Sequence, residues 1–182
     1  RFMWMVEMAI SLPKSVGEYF NTAQSPLNPY NQGSSFVYGT LPLFLTKFLG
    51  VLLKLDDGQH IHLLGRVLAG TFDLLTVLLM FAIGRKLYDT RVGLLASFLS
   101  ACLVMNIQQA HFFTVDSFTA TFVALTFYLS LRVVERGRWR DFLLMGLSYG
   151  LAIACKINVA TVGLVMALAC VLRILKALRV PD

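Results

Sequence analysis

Charge is scarce in this chain. Of 182 residues only 14% are Asp, Glu, Lys or Arg, ten of the 182 are acidic, 57% are hydrophobic, and mean hydropathy is +0.71. So little polar surface cannot keep a domain of this size in water, which excludes an ordinary soluble protein. Cysteine is also sparse: Cys102, Cys155 and Cys170 each sit inside an apolar run, where a free thiol serves as a small packing group and no disulfide framework is implied. No Asn-X-Ser/Thr sequon, internal repeat or low-complexity tract occurs. The net charge of +6 comes from Lys and Arg clustered at the ends of apolar runs. They are not interleaved with aromatics on a solvated face, which argues against a nucleic-acid partner.

What the chain does have is apolar runs divided by short basic connections, at about 61–84, 92–113, 115–134, 142–155 and 157–172. The first three are long enough to cross a hydrocarbon core, which takes about 20 residues. As one helix, 142–172 would measure about 46 Å against a core of roughly 30 Å. Two short spans meeting at "KIN", residues 156–158, fit better.

The basic residues test that count. Arg85, Lys86 and Arg91 lie in one connection, Arg132, Arg136, Arg138 and Arg140 in another, and Arg173, Lys176 and Arg179 after the last run. With five spans all three clusters share one side, which the positive-inside rule makes cytoplasmic. Asp116 and Lys156 then face outward together. The fold class expected is an all-α polytopic membrane helix bundle, with a region 1–60 of outer loop and a region 61–182 of about five spans.

Residues 1–60 are less regular. "RFMWMVEMAISL" reads as a short amphipathic helix ended by Pro13, with Glu7 on its polar face, followed by a loop rich in Asn, Pro, Ser and Gly. Residues 36–55 have the length of a span, yet Thr40, Lys47 and Lys54 recur every seven residues as one polar stripe. That stripe favours a helix lying in the interface over a crossing. The opening on Arg1 without Met and the end at "RVPD" read as a fragment truncated at both ends.

Three stretches stand in order: "GRVLAGTFDLLTVLLMFAIGRKLYDTRVGLLASFLSA" (65–101), "HFFTVDSFTATF" (111–122) and "GLAIACKINVATVGL" (150–164). In that order the chain resembles the polyprenyl-phosphate-sugar-dependent membrane glycosyltransferases, family 39 of the GT-C fold. That group includes the protein O-mannosyltransferases and the bacterial lipid A aminoarabinose transferase. The resemblance implies a polyprenyl-phosphate-linked sugar as donor, membrane lipid as surroundings and an unspecified acceptor. It also implies that 1–60 form the first outer loop with interfacial helices. The family's acidic pair, which supplies the base, would fall just before Arg1 and is not in this sequence; Glu7 lies too far along to replace it.

By the same resemblance Asp116 matches a second acidic position that orients acceptor or donor sugar, and Lys156 matches a lysine that contacts the lipid phosphate. Plain structural roles stand beside these. Asp116, with Thr114 and Ser117, reads as a helix cap worth about 1 kcal/mol, and Lys156 as a snorkelling lysine that ends a helix. Asn158 is a weaker companion of Lys156, His111 a second catalytic candidate at the outer mouth, and Tyr38 and Arg66 candidates for contact with donor or sugar. Asp73 shares a helix face with Arg66 and is expected to be paired within the bundle. "DDGQHIH", with Asp56, Asp57, His60 and His62, fits no metal spacing, so neither metal nor other cofactor is expected.

The leading reading is an enzyme moving a sugar from a lipid phosphate to an acceptor outside a bacterial plasma membrane. The rival is a non-catalytic lipid-phosphate-binding or transporter-type membrane module. A transporter is expected to show matched half-helices about a midplane site, and only one broken pair is visible.

Overall fold

Hydrophobic runs of this length satisfy their backbone polar groups within helices, and every regular element described in the computed structural model is helical. The structure describes residues 14–23, 25, 28, 31, 38–55, 57 and 60–179. The amphipathic helix expected over 1–12, with Glu7, and most of the loop after it lie outside the described residues.

In chain order the helices are α1 (Val16–Phe20), α2 (Leu41–Leu53), α3 (His60–Leu87), α4 (Thr90–Ala101), α5 (Val104–His111), α6 (Val115–Arg136), α7 (Trp139–Cys155) and α8 (Gly163–Arg179). A 3₁₀ segment, Ile157–Val162, joins α7 to α8. Connections are short and set by local chemistry. Asp89 caps α4 by accepting from the Val92 backbone N–H at 2.8 Å. Gly137 ends α6 at φ 60°, a left-handed conformation that suits glycine, and donates to the Val133 carbonyl at 3.0 Å.

Among the described residues three segments are long and apolar enough to cross a membrane: His60–Leu87, Val115–Arg136 and Ile157–Leu178. The run expected as one span over 92–113 consists of two helices, α4 and α5, which together are long and apolar enough for one span but are bent by 53°. The physical reason lies in α5, whose eight residues include Asn106, Gln108, Gln109 and His111. Half of that helix is polar, so the run bends toward the cavity instead of continuing straight. α7, at 17 residues, is at the short end for a span. The break foreseen at Lys156 is present: its backbone is extended (φ −157°, ψ 116°) between α7 and the 3₁₀ segment.

Two clusters hold the bundle. One joins Leu43, Ile61, Ala69, Phe113, Phe118 and Cys155, with Phe72 and Phe122 at its edge. The other joins Leu129, Val133 and Met145. Between them hydroxyl pairs cross the interfaces, Thr76 with Thr121 at 2.8 Å and Thr126 with Ser148 at 2.9 Å. Small hydroxyl residues let helices approach closely where lipid offers no hydrophobic drive.

The basic connections lie at one end. Lys86, at the end of α3, bonds Glu135 at the end of α6, Arg132 Nη2 lies 2.6 Å from Asp141 Oδ1, and the Arg173 guanidinium packs on Gly137. α2 differs from the amphipathic stripe expected of it. Thr46, Lys47 and Gly50 are buried against the bundle, while Phe48, Val51, Leu52 and Leu53 are exposed. Leu43 is buried with them, and Leu41, Phe44 and Leu45 pack on the core, so the exposed apolar face is confined to the second half of the helix.

Candidate functional site

At the end opposite the basic connections, α3, α5, α6 and the segment after α7 enclose a cavity of about 430 Å³. α3 contributes Asp73, α5 contributes Asn106 and Gln109, and α6 contributes Asp116, Ser117 and Thr119. Lys156 and Asn158 close it from the break after α7. The volume falls within the range of small-molecule sites.

Asp116 and Lys156 share this cavity and touch. Lys156 Nζ donates to Asp116 Oδ1 at 2.8 Å, with both side chains partly open to solvent. Asp116 stands in the first turn of α6, where the helix dipole favours a carboxylate. It is not the cap that the sequence invites. Thr114 holds the N-cap position, without a side-chain cap bond, and its hydroxyl donates to Gln109 Oε1 at 2.7 Å instead.

Lys156 ends α7 because its extended backbone breaks the helix, and a second contact holds that break. Gly39 donates its backbone N–H to the Cys155 carbonyl at 2.8 Å, satisfying one of the last free carbonyls of α7. Only glycine fits there, since a Cβ on residue 39 would lie 2.0 Å from the Ala154 oxygen. The docking carries Tyr38 over the lysine, ring centre 5.6 Å from Nζ, a cation–π distance.

Phe113, between α5 and α6, is buried at φ 50°. For a bulky residue this is a strained conformation that surrounding structure must hold. The ring presses on Gly65, where a Cβ would meet it at 2.8 Å, and meets Phe118 edge-on at 6.0 Å. The strained turn fixes how α5 and α6 present their cavity side chains.

The residues singled out in the sequence divide accordingly. Asp116, Lys156 and Asn158 line the cavity, and Tyr38 reaches its lysine. His111 is exposed at the end of α5 beside Phe112, and Arg66 is exposed on α3; neither is among the lining residues. The pairing expected for Asp73 is not found: it lines the cavity with no hydrogen-bond or ion-pair partner among the described residues. Arg66 lies two turns away, about 10 Å along the axis. Asn106 and Gln109 were missed, although polar residues late in an apolar run were the available signal. His60 Nδ1 contacts the Asp57 carboxylate at 2.7 Å, Asp56 lies outside the described residues, and among those described no three His, Cys, Asp or Glu converge.

With this geometry in place, the comparison with protein families is decisive. The model of the dolichyl-phosphate-mannose-protein mannosyltransferases matches residues 42–179. The chain belongs to that family. The match runs from α2 to α8 and takes in Asp73, Asp116, Lys156 and Asn158, while Tyr38 precedes it. No curated protein and no solved structure gave a match. Family and apolar helices together make this an integral membrane protein of a glycosyltransferase family.

Proposed function

We propose that the cavity is the donor site of a GT-C-type transferase that takes its sugar from a polyprenyl phosphate on the outer face of a bacterial plasma membrane. The carrying observation is the Asp116–Lys156 pair at the mouth of a cavity opposite the basic end of the bundle. The positive-inside rule assigns that basic end to the cytoplasm, so the cavity opens outward.

A lipid phosphate arriving at the interface meets Lys156, the one cation among the cavity-lining residues. As the ammonium turns to the phosphate, Asp116 is released to accept a hydrogen bond from a sugar or acceptor hydroxyl. Transfer is then one displacement with inversion. The acceptor oxygen bonds to the anomeric carbon, the bond to the phosphate oxygen breaks with its electron pair, and the hydroxyl proton passes to a base. Lys156 stabilises the departing phosphate. The reading calls for no cofactor.

The test is Lys156→Met in the full-length protein in nanodiscs, with polyprenyl-phosphate mannose as the probe. Donor affinity is expected to fall about tenfold or more, as for a lost charged contact, with the thermal midpoint kept. Unchanged affinity would sink the phosphate role. Tight binding without any glycosyl transfer by the wild-type protein would favour a lipid-phosphate-binding module.

A further inference from the structure

We infer that Asp73, with Asn106 and Gln109, forms the subsite that reads the hydroxyl groups of the sugar, and that Asp73 is a specificity-determining residue. This rests on the donor-site reading above and goes beyond it by assigning the two ends of the donor to different walls of the cavity.

Asp116 and Lys156 neutralise each other, so Asp73 is the remaining charged side chain among the lining residues. A carboxylate in a membrane-spanning helix is costly unless something meets it, yet Asp73 has no protein partner among the described residues. A phosphate would be repelled there. A neutral polyol would be welcomed, because each hydroxyl brings a donor to a carboxylate with lone pairs to spare.

The neighbouring groups fit the same ligand. Gln109 Oε1 already accepts from Thr114, which leaves the Gln109 amide N–H groups as donors toward the cavity. Asn106 adds a donor and an acceptor, and Ser117 lines the cavity from α6 with a buried hydroxyl that has no partner among the described residues. Mixed donors and acceptors suit hydroxyl groups, which need both. A phosphate site would be built of cations and N–H donors.

Depth agrees. α3 and α6 run parallel, since Lys86 and Glu135 meet at their C-terminal ends. Thr76 and Thr121 set the register. Asp73 precedes Thr76 by three residues and Asp116 precedes Thr121 by five, so the carboxylates stand within roughly 3 Å of each other in depth. Asp73 thus faces the sugar from α3 while Lys156 holds the phosphate from across the cavity.

The experiment compares two probes on the full-length protein in nanodiscs, bare polyprenyl monophosphate and polyprenyl-phosphate mannose. Wild-type protein is expected to bind the second more tightly. Asp73→Asn should weaken the mannose-bearing probe about tenfold or more and leave the bare phosphate unchanged, whereas Lys156→Met should weaken both. If Asp73→Asn does not fold, Asn106→Ala gives the same readout from another helix. Equal wild-type affinity for the two probes overturns the sugar subsite and leaves the lipid-phosphate reading standing. A loss shared by both probes in Asp73→Asn also overturns it, as does an unchanged ratio in that variant. If the wild-type protein binds neither probe, both this inference and the donor-site reading fall.

Discussion

The backbone N–H of Gly39 bonds the carbonyl of Cys155 at 2.8 Å, and through it a residue before α2 sets the surroundings of Lys156. Cys155 is fully buried beneath this contact. A methyl group on residue 39 has no room against the Ala154 oxygen, so Gly39→Ala must lift the segment off α7. In a background where Cys102 and Cys170 are Ser, maleimide is expected to label Cys155 slowly in the parent and at least several-fold faster in Gly39→Ala. Equal labelling rates would show that the segment is not held by this contact.

Phe113 gives a prediction with an unusual order. Removing the ring leaves a cavity, so Phe113→Ala is expected to destabilise the protein by about 3 kcal/mol. Residue 113 has a positive φ, where glycine is unstrained and alanine is not. Phe113→Gly should therefore be about 1 kcal/mol more stable than Phe113→Ala, the reverse of the order in a helix interior. Unfolding in detergent by denaturant titration measures both. Alanine proving the more stable would mean that the turn relaxes once the ring is gone.

How much of this was legible in the sequence varied with the range of the interaction. The break at Lys156 could be read because charge parity is a global constraint: one span too few sends the last basic cluster to the wrong side. The bend between α4 and α5 was obscured because Asn106, Gln108 and Gln109 were averaged into a long apolar run. Asp73 was misplaced because its spacing from Arg66 offered a local partner, whereas its surroundings depend on helices distant in sequence. The Gly39 contact left no local trace, since the reason for that glycine is a backbone met only after folding.

The cavity pair itself is expected to contribute little to stability. Lys156 and Asp116 are both partly exposed, and such pairs are typically worth about 0.2–1 kcal/mol. A double-mutant cycle with Asp116→Asn and Lys156→Met should give a coupling in that range, while each single change lowers glycosyl transfer by the full-length enzyme at least tenfold. That split marks a pair kept for chemistry. A coupling of several kcal/mol with transfer retained would mark a structural strut.

The ion pair at the other end of the bundle behaves differently, because burial is unequal. Asp141 is 1% exposed while Arg132 is 28% exposed, with Nη2 and Oδ1 at 2.6 Å. The contact is ionic without the alignment of a hydrogen bond, and neither carboxylate oxygen has another partner among the described residues. Removing the arginine therefore strands a buried charge, whereas removing the aspartate leaves a guanidinium that water can reach. Breaking a buried pair by deleting one partner costs about 3–5 kcal/mol, so Arg132→Met is expected near that range and Asp141→Asn clearly below it. The double variant, with neither charge left, should recover part of the loss seen in Arg132→Met. Thermal or denaturant unfolding of the three variants decides this. Equal costs for the two single changes would mean that water reaches Asp141 as readily as Arg132, and that the inner end of the α6–α7 hairpin is looser than its packing implies.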